Sequence, residues 1–185
     1  MNITKNTTVA IIGTGCIGMA AVVLAKCLGA KTVWMIGRNE SKLAAARALG
    51  AEIINIKERD AVRAVMDATE GRGADFVLEC SGARETFKQA IDLAAFRATV
   101  ALIGFYEHRE NGVNVDTIVA KALTLIGIMG EVGNMAGALR ILAENRPNLL
   151  PILTDELAFD DCIAGFTRKK YPDAVKIAVK IGEVD

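Results

Sequence analysis

Near the start of the chain, Gly13-Thr-Gly-Cys-Ile-Gly18 has the residue types and spacing needed to hold a diphosphate. Thr8 to Ile12, just before it, reads as a short buried parallel strand, and Met19 to Leu28 continues as an apolar, alanine-rich helix. Gly13 permits a tight turn out of the strand, and Gly15 lets the backbone approach a pyrophosphate with no Cβ in the way. Gly18 lets the helix pack closely on the sheet. The N–H groups at the helix start, around Cys16 and Ile17, then face the two phosphates. A strand, a GxGxxG turn and a helix in that order form a dinucleotide-binding fingerprint.

A second group with chemical meaning follows the next strand, Thr32 to Ile36. Dinucleotide-binding domains that prefer NAD usually place an Asp or Glu here, to accept hydrogen bonds from the adenosine ribose. This chain has Gly37 followed by Arg38. A carboxylate would repel a ribose 2′-phosphate, whereas a glycine makes room for one and a guanidinium pairs with it. NADP is therefore favoured over NAD, with Asn39 in the same cofactor-binding stretch and Lys42 one turn further on as an assisting cation. The plain alternative is that Arg38 is a surface charge beside a helix cap, since Asn39 has the right chemistry to cap a helix from Glu40 to about Leu49.

Other reactive side chains are sparse. His108, the single histidine, is the one ordinary acid–base candidate near neutral pH; it sits in a polar loop, where an exposed histidine with no catalytic role is the simpler reading. The four cysteines, Cys16, Cys27, Cys80 and Cys162, are widely spaced and form no CxxC, so no metal site is expected. Cys27 and Cys80 read as small buried hydrophobes. No residue of this chain is assigned a catalytic role.

The elements that must position these groups alternate regularly. After the second strand, strands are expected at Glu52–Asn55, Asp75–Cys80, Ala98–Ile103 and Leu123–Ile126. Helices fall between them, at Asp60–Thr69, Arg84–Ala95, a short turn at Val115–Lys121, and Asn134–Glu144 after the sixth strand. This implies right-handed crossovers and a doubly wound, six-stranded parallel sheet with helices on both faces. Residues 1–147 are assigned to this domain and 148–185 to a small C-terminal α/β appendage. There, Val175, Ile177, Val179 and Ile181 alternate in what reads as an antiparallel or edge strand. Its best partner within the chain is the segment around Leu157 and Phe159.

Bulk properties narrow the classes. Lys plus Arg and Asp plus Glu both total 22, and no basic tail supports nucleic-acid binding. Hydrophobic residues make up 52%, with mean hydropathy +0.32, so either buried parallel strands dominate or apolar surface meets a partner. A homo-oligomer is the expected form. No apolar run reaches membrane-spanning length, and a cytoplasmic, membrane-free protein is expected.

With these features in place, the chain resembles the coenzyme-binding half of the medium-chain, zinc-type alcohol and polyol dehydrogenase superfamily, a Rossmann-type fold. The resemblance rests on Gly13 to Gly18, Ala25-Lys-Cys-Leu-Gly-Ala30, Arg47-Ala-Leu-Gly-Ala51, Gly71-Arg-Gly-Ala-Asp75, Glu79-Cys-Ser-Gly82 and Leu102-Ile-Gly104. It implies that Cys80, Ser81 and Gly82 pass near the riboses of the cofactor. Ile103, Gly104 and Phe105, and then Ile128 and Met129, match stretches whose backbone holds the nicotinamide carboxamide. A small residue with a nearby arginine after the second strand is common among the family's NADP users. One departure is Phe96-Arg97-Ala98, where the family usually has a glycine-rich turn.

The same resemblance implies a larger parent, with a preceding catalytic domain of roughly 150 residues. That domain would supply the catalytic zinc and the pocket for a small alcohol or carbonyl substrate, so zinc belongs to the parent and not to this chain. The implied activity is NAD(P)-dependent oxidoreduction of an alcohol or polyol, with the isolated chain binding cofactor and catalysing little. Two alternatives stay open: a non-enzymatic NAD(P)-binding regulatory or dimerisation module, and the cofactor domain of a zinc-free quinone or enoyl reductase.

Overall fold

A computed structural model describes residues 3–107, 112, 114–130, 135–166 and 170–182. Six strands form one parallel sheet: β1 (Thr8–Ile12), β2 (Thr32–Gly37), β3 (Glu52–Asn55), β4 (Ala74–Glu79), β5 (Ala94–Leu102) and β6 (Thr124–Gly127). Their order is β3-β2-β1-β4-β5-β6, the doubly wound arrangement with its switch point between β1 and β4. The helices are α1 (Cys16–Cys27), α2 (Glu40–Ala48), α3 (Ala61–Ala68), α4 (Thr86–Leu93), α5 (Val115–Ala120) and α6 (Met135–Glu144).

Strand β1 is buried along its whole length, and its side chains divide between two cores. Val9 and Ile11 face α1 and α2 with Met19, Val22 and Leu43. Ala10 and Ile12 face α3 and α4 with Val65, Ala90 and Ile91. Burying each such aliphatic side chain contributes about 1.5–3 kcal/mol, so a central strand apolar on both faces anchors both layers. Asn39 caps α2 by accepting from the Lys42 N–H at 3.0 Å, and Asp60 caps α3 through the Arg63 N–H at 2.7 Å.

Helix α4 is shorter than the sequence suggests. It stops at Leu93, and Ala94 and Ala95, expected within it, already belong to β5. The Lys121 ammonium explains the early stop: it donates to the carbonyls of Ile91, Asp92 and Ala94, each at 2.9 Å. The close approach of Gly73 adds to this, since a Cβ there would lie 2.7 Å from the Leu93 carbonyl oxygen. The glycine-free turn at 96–98 becomes an irregularity inside β5, with Arg97 in the left-handed region at φ 61° and its guanidinium over the Phe96 ring.

Beyond α6, α7 (Arg146–Leu149) and a 3₁₀ turn lead to β7 (Leu153–Ala158), α8 (Cys162–Gly165) and β8 (Lys176–Lys180). Leu157 pairs with Val179 and β8 is an edge strand of a two-stranded sheet, as the alternation suggests; the pair runs parallel and not antiparallel, with α8 in the crossover between them. Cys27, expected to be buried, is exposed and donates its thiol to Asn145 Oδ1 at 2.8 Å. His108 lies outside the described residues. No described helix is long and apolar enough to cross a membrane.

Arg97 pays for its backbone conformation. Arg97→Gly is expected to stabilise the fold by about 0.5–1 kcal/mol, the lost contact with Phe96 offsetting part of the gain. Urea denaturation of both proteins checks this, and a destabilised variant would contradict it.

Candidate functional site

The glycine bend is built by steric exclusion. A Cβ on Gly18 would lie 2.0 Å from the Gly13 carbonyl oxygen, so only glycine lets α1 begin so close to the end of β1. Gly13 itself has φ 109° and donates its N–H to the Ile36 carbonyl at 3.0 Å, tying the bend to β2. Gly15 differs: nothing lies within 4 Å of where its Cβ would be. It takes an ordinary φ of −85° at the N-cap of α1 with no side-chain cap, and no acidic residue stands in the first turn. An uncapped helix start facing open space suits an anion.

That space is a cleft of about 750 Å³ along the C-terminal edge of the sheet. It brings together Gly13, Gly15, Cys16, Ile17, Gly37, Arg38, Lys42, Cys80 and Ser81 from the residues singled out by the sequence. Three cations line it, Arg38, Lys42 and Lys176, and no lining residue is acidic among the described residues. Lys176 and its neighbours Tyr171, Pro172, Ala174 and Val175, none of them named as a site residue from the sequence, reach the cleft from the C-terminal appendage. The cation at the head of β8 is visible in the sequence, but nothing local shows that β8 faces the glycine bend.

The remaining candidates sit elsewhere, and Gly37, though it lines the cleft, is crowded. Gly18 is buried beneath the bend. Asn39 spends its side chain on capping α2 and on donating to Asp173 Oδ1 at 2.8 Å. A Cβ on Gly37 would sit 2.5 Å from the Thr14 methyl, so Thr14 already fills the nearest space that the glycine leaves. Gly82, Ile103, Gly104, Phe105, Ile128 and Met129 do not line the cleft. They form an open shelf beyond β4 and β5, where Phe105 and Met129 are 75% and 71% exposed.

Glu79 organises that shelf and was passed over as a functional residue. Its backbone carbonyl accepts from Ile103 N–H at 2.8 Å and Gly104 N–H at 3.0 Å, locking the loop after β5 to the end of β4. The tightness is visible at Gly82, where a Cβ would meet the Phe105 carbonyl oxygen at 2.2 Å. Beside it, burial and then the charge of Glu79 push the Cys80 thiol up to about 12. Among the described residues, no group of three or more His, Cys, Asp or Glu could hold a metal ion.

A thiol with so high a pKa stays protonated at pH 8 and is a poor nucleophile. Iodoacetamide treatment of the native protein at that pH, followed by peptide mass mapping, should label exposed Cys27 and spare Cys80. Labelling of Cys80 as fast as Cys27 would contradict the assignment.

The chain's likenesses agree with this geometry. Residues 16–144 match the family model described as zinc-binding dehydrogenase. An L-threonine 3-dehydrogenase of Bacillus subtilis is 32% identical over 86% of this chain and 47% of its own length. A sorbitol dehydrogenase of Halalkalibacterium halodurans is 29% identical over 95% of this chain and 52% of its own length. The solved structure of an alcohol dehydrogenase from Thermus sp. ATN1 superposes with a TM-score of 0.90 at 26% identity, covering 97% of this chain and 52% of that one. The chain spans about half the length of these relatives. With a doubly wound sheet, a glycine bend opening its first helix and a family match across most of its length, this chain belongs to the zinc-binding dehydrogenase family, of which it carries the coenzyme-binding part.

Proposed function

We propose that this chain binds a nicotinamide dinucleotide, NADP in preference to NAD, as the cofactor half of a dehydrogenase acting on an alcohol or polyol or its carbonyl product. The observation that carries this reading is the uncapped start of α1 opening into a cleft lined by three cations and no carboxylate among the described residues. When bound, the nicotinamide accepts a hydride from the carbinol carbon while the alcohol releases a proton, leaving a carbonyl.

The residues of this chain bind and orient. Backbone N–H groups of Gly15, Cys16 and Ile17 take the diphosphate, with Lys176, which lines the same cleft, adding positive charge. Arg38 and Lys42 take the adenosine 2′-phosphate beside Gly37. The shelf at Gly82, Ile103, Gly104, Phe105, Ile128 and Met129 backs the nicotinamide. Catalytic groups and substrate pocket belong to the other half of the enzyme, so this chain alone binds cofactor and turns over little. On this reading the domain ends at 147, and the appendage from 148 onward serves both halves.

Uncovered apolar surface supports the partners. Strand β6 is the outer edge of the sheet and is exposed at all four residues, including Leu125 and Ile126. Edges of this kind are normally covered, and a second copy of the chain fits there. Phe159 and Ile181, at the ends of the β7–β8 pair, are 59% and 78% exposed and suit the catalytic domain.

Gly15→Ala tests the diphosphate assignment. Its Cβ enters open space at an ordinary φ, so stability should stay within about 1 kcal/mol of wild type while NADP affinity falls at least about tenfold. Unchanged affinity by calorimetric titration would reject the site. Arg38→Ala tests the cofactor choice: NADP affinity should fall about tenfold or more with NAD affinity little changed. Equal wild-type affinity for the two, untouched by the substitution, would rule out the preference.

A further inference from the structure

Glu79 ends β4 with its side chain fully buried, at 0% exposure. Buried carboxylates are ordinarily paired with a cation. Glu79 takes part in none of the ion pairs formed by the described residues. Its Oε1 instead accepts from the Ser81 N–H at 2.8 Å, the Ser81 hydroxyl at 2.7 Å and the Gly82 N–H at 3.0 Å. The Gly82 N–H also reaches Oε2, at 3.2 Å. That oxygen is aimed at the loop after β5, where a Cβ on Gly104 would lie 2.7 Å away.

Tyr106 completes the surroundings. Its ring packs on Phe87, with centroids 5.9 Å apart, and its buried hydroxyl has no hydrogen bond of ordinary geometry among the described residues. Burial, and then the facing Glu79 carboxylate, raise its pKa, so the phenol stays protonated beside the carboxylate. All these neighbours are neutral dipoles. Ser81 and Gly82 solvate the carboxylate without cancelling its charge, and the phenol beside it adds a dipole but no charge, in a low-dielectric edge of the sheet.

The sheet order says what that charge acts on. In a doubly wound fold, the adenosine lies over β2 and the diphosphate at the β1 bend. The other half of the dinucleotide must therefore cross to β4 and β5, where Glu79 sits. The oxidised nicotinamide ring is a cation and the reduced ring is neutral. We propose that Glu79 is a positioning residue that fixes the two nicotinamide-side loops and, through its uncompensated charge, biases the site toward the oxidised cofactor. This inference rests on the dinucleotide reading of the cleft.

Calorimetric titration of the whole chain with NADP+ and NADPH, and with NAD+ and NADH, tests it. Glu79→Gln keeps an oxygen for Ser81 and Gly82 but removes the charge. The ratio of the oxidised form's Kd to the reduced form's should rise roughly three- to tenfold, chiefly through weaker binding of the oxidised form. Tyr106→Phe keeps the ring on Phe87 and removes the phenol dipole that faces the carboxylate, so the ratio should move the other way. That second variant carries the test if Glu79→Gln does not fold. Parallel losses of both redox forms, or an unmoved ratio, would overturn the inference while leaving the cofactor site intact. A wild-type chain that binds none of the four dinucleotides would overturn both.

Discussion

Helix α1 can start where it does only because no side chain stands between Gly18 and the Gly13 carbonyl. That approach sets the angle at which the helix leaves β1, and the angle decides where its uncapped end points. Cys16 and Ile17 then line the cleft, and Met19 and Val22 meet Val9 and Ile11 in the core behind. The packing of α1 and the direction of its open end are two consequences of one close contact. Gly15, two residues after Gly13, carries no such packing constraint, so the bend separates glycines that the fold needs from one that opens onto empty space.

Much of this was legible because the signals are local. Asn39 caps the helix it precedes, and the glycine bend lies between β1 and α1, each readable from a few adjacent residues. The two-sided burial of β1 follows from an apolar run bounded by turn residues. What escaped notice depends on distant partners. Lys121 ends α4 from about thirty residues away, as its bond to Ile91 records. Cys27 looks like a core residue within an apolar helix, yet it falls on the outer face. The parallel pairing of β7 and β8 follows from the path taken through α8, which alternation alone does not encode.

The candidate site divides in the same way. The residues from Gly13 to Gly18, and Gly37 and Arg38, are recognised as candidates by local spacing alone. Lys176 becomes part of the cleft only when the C-terminal segment folds back across it. Glu79 was visible as part of a family stretch, but its burial without a cation emerges only when Ser81, Gly82 and Gly104 are seen around it. The shelf beyond β5 and the face of α6 with Met135, Leu139 and Leu142 leave apolar side chains uncovered. High hydropathy in the sequence has its explanation in both places: a sheet apolar on two faces, and apolar surface left outside it.

The most direct test of the diphosphate site is a two-dimensional amide NMR titration of the chain with NADPH. Binding at the bend predicts large, saturable shifts for the amides of Gly15, Cys16 and Ile17, reaching their end points together with those of Arg38. Amides of the bend that stay unmoved at millimolar NADPH and NADH would contradict it.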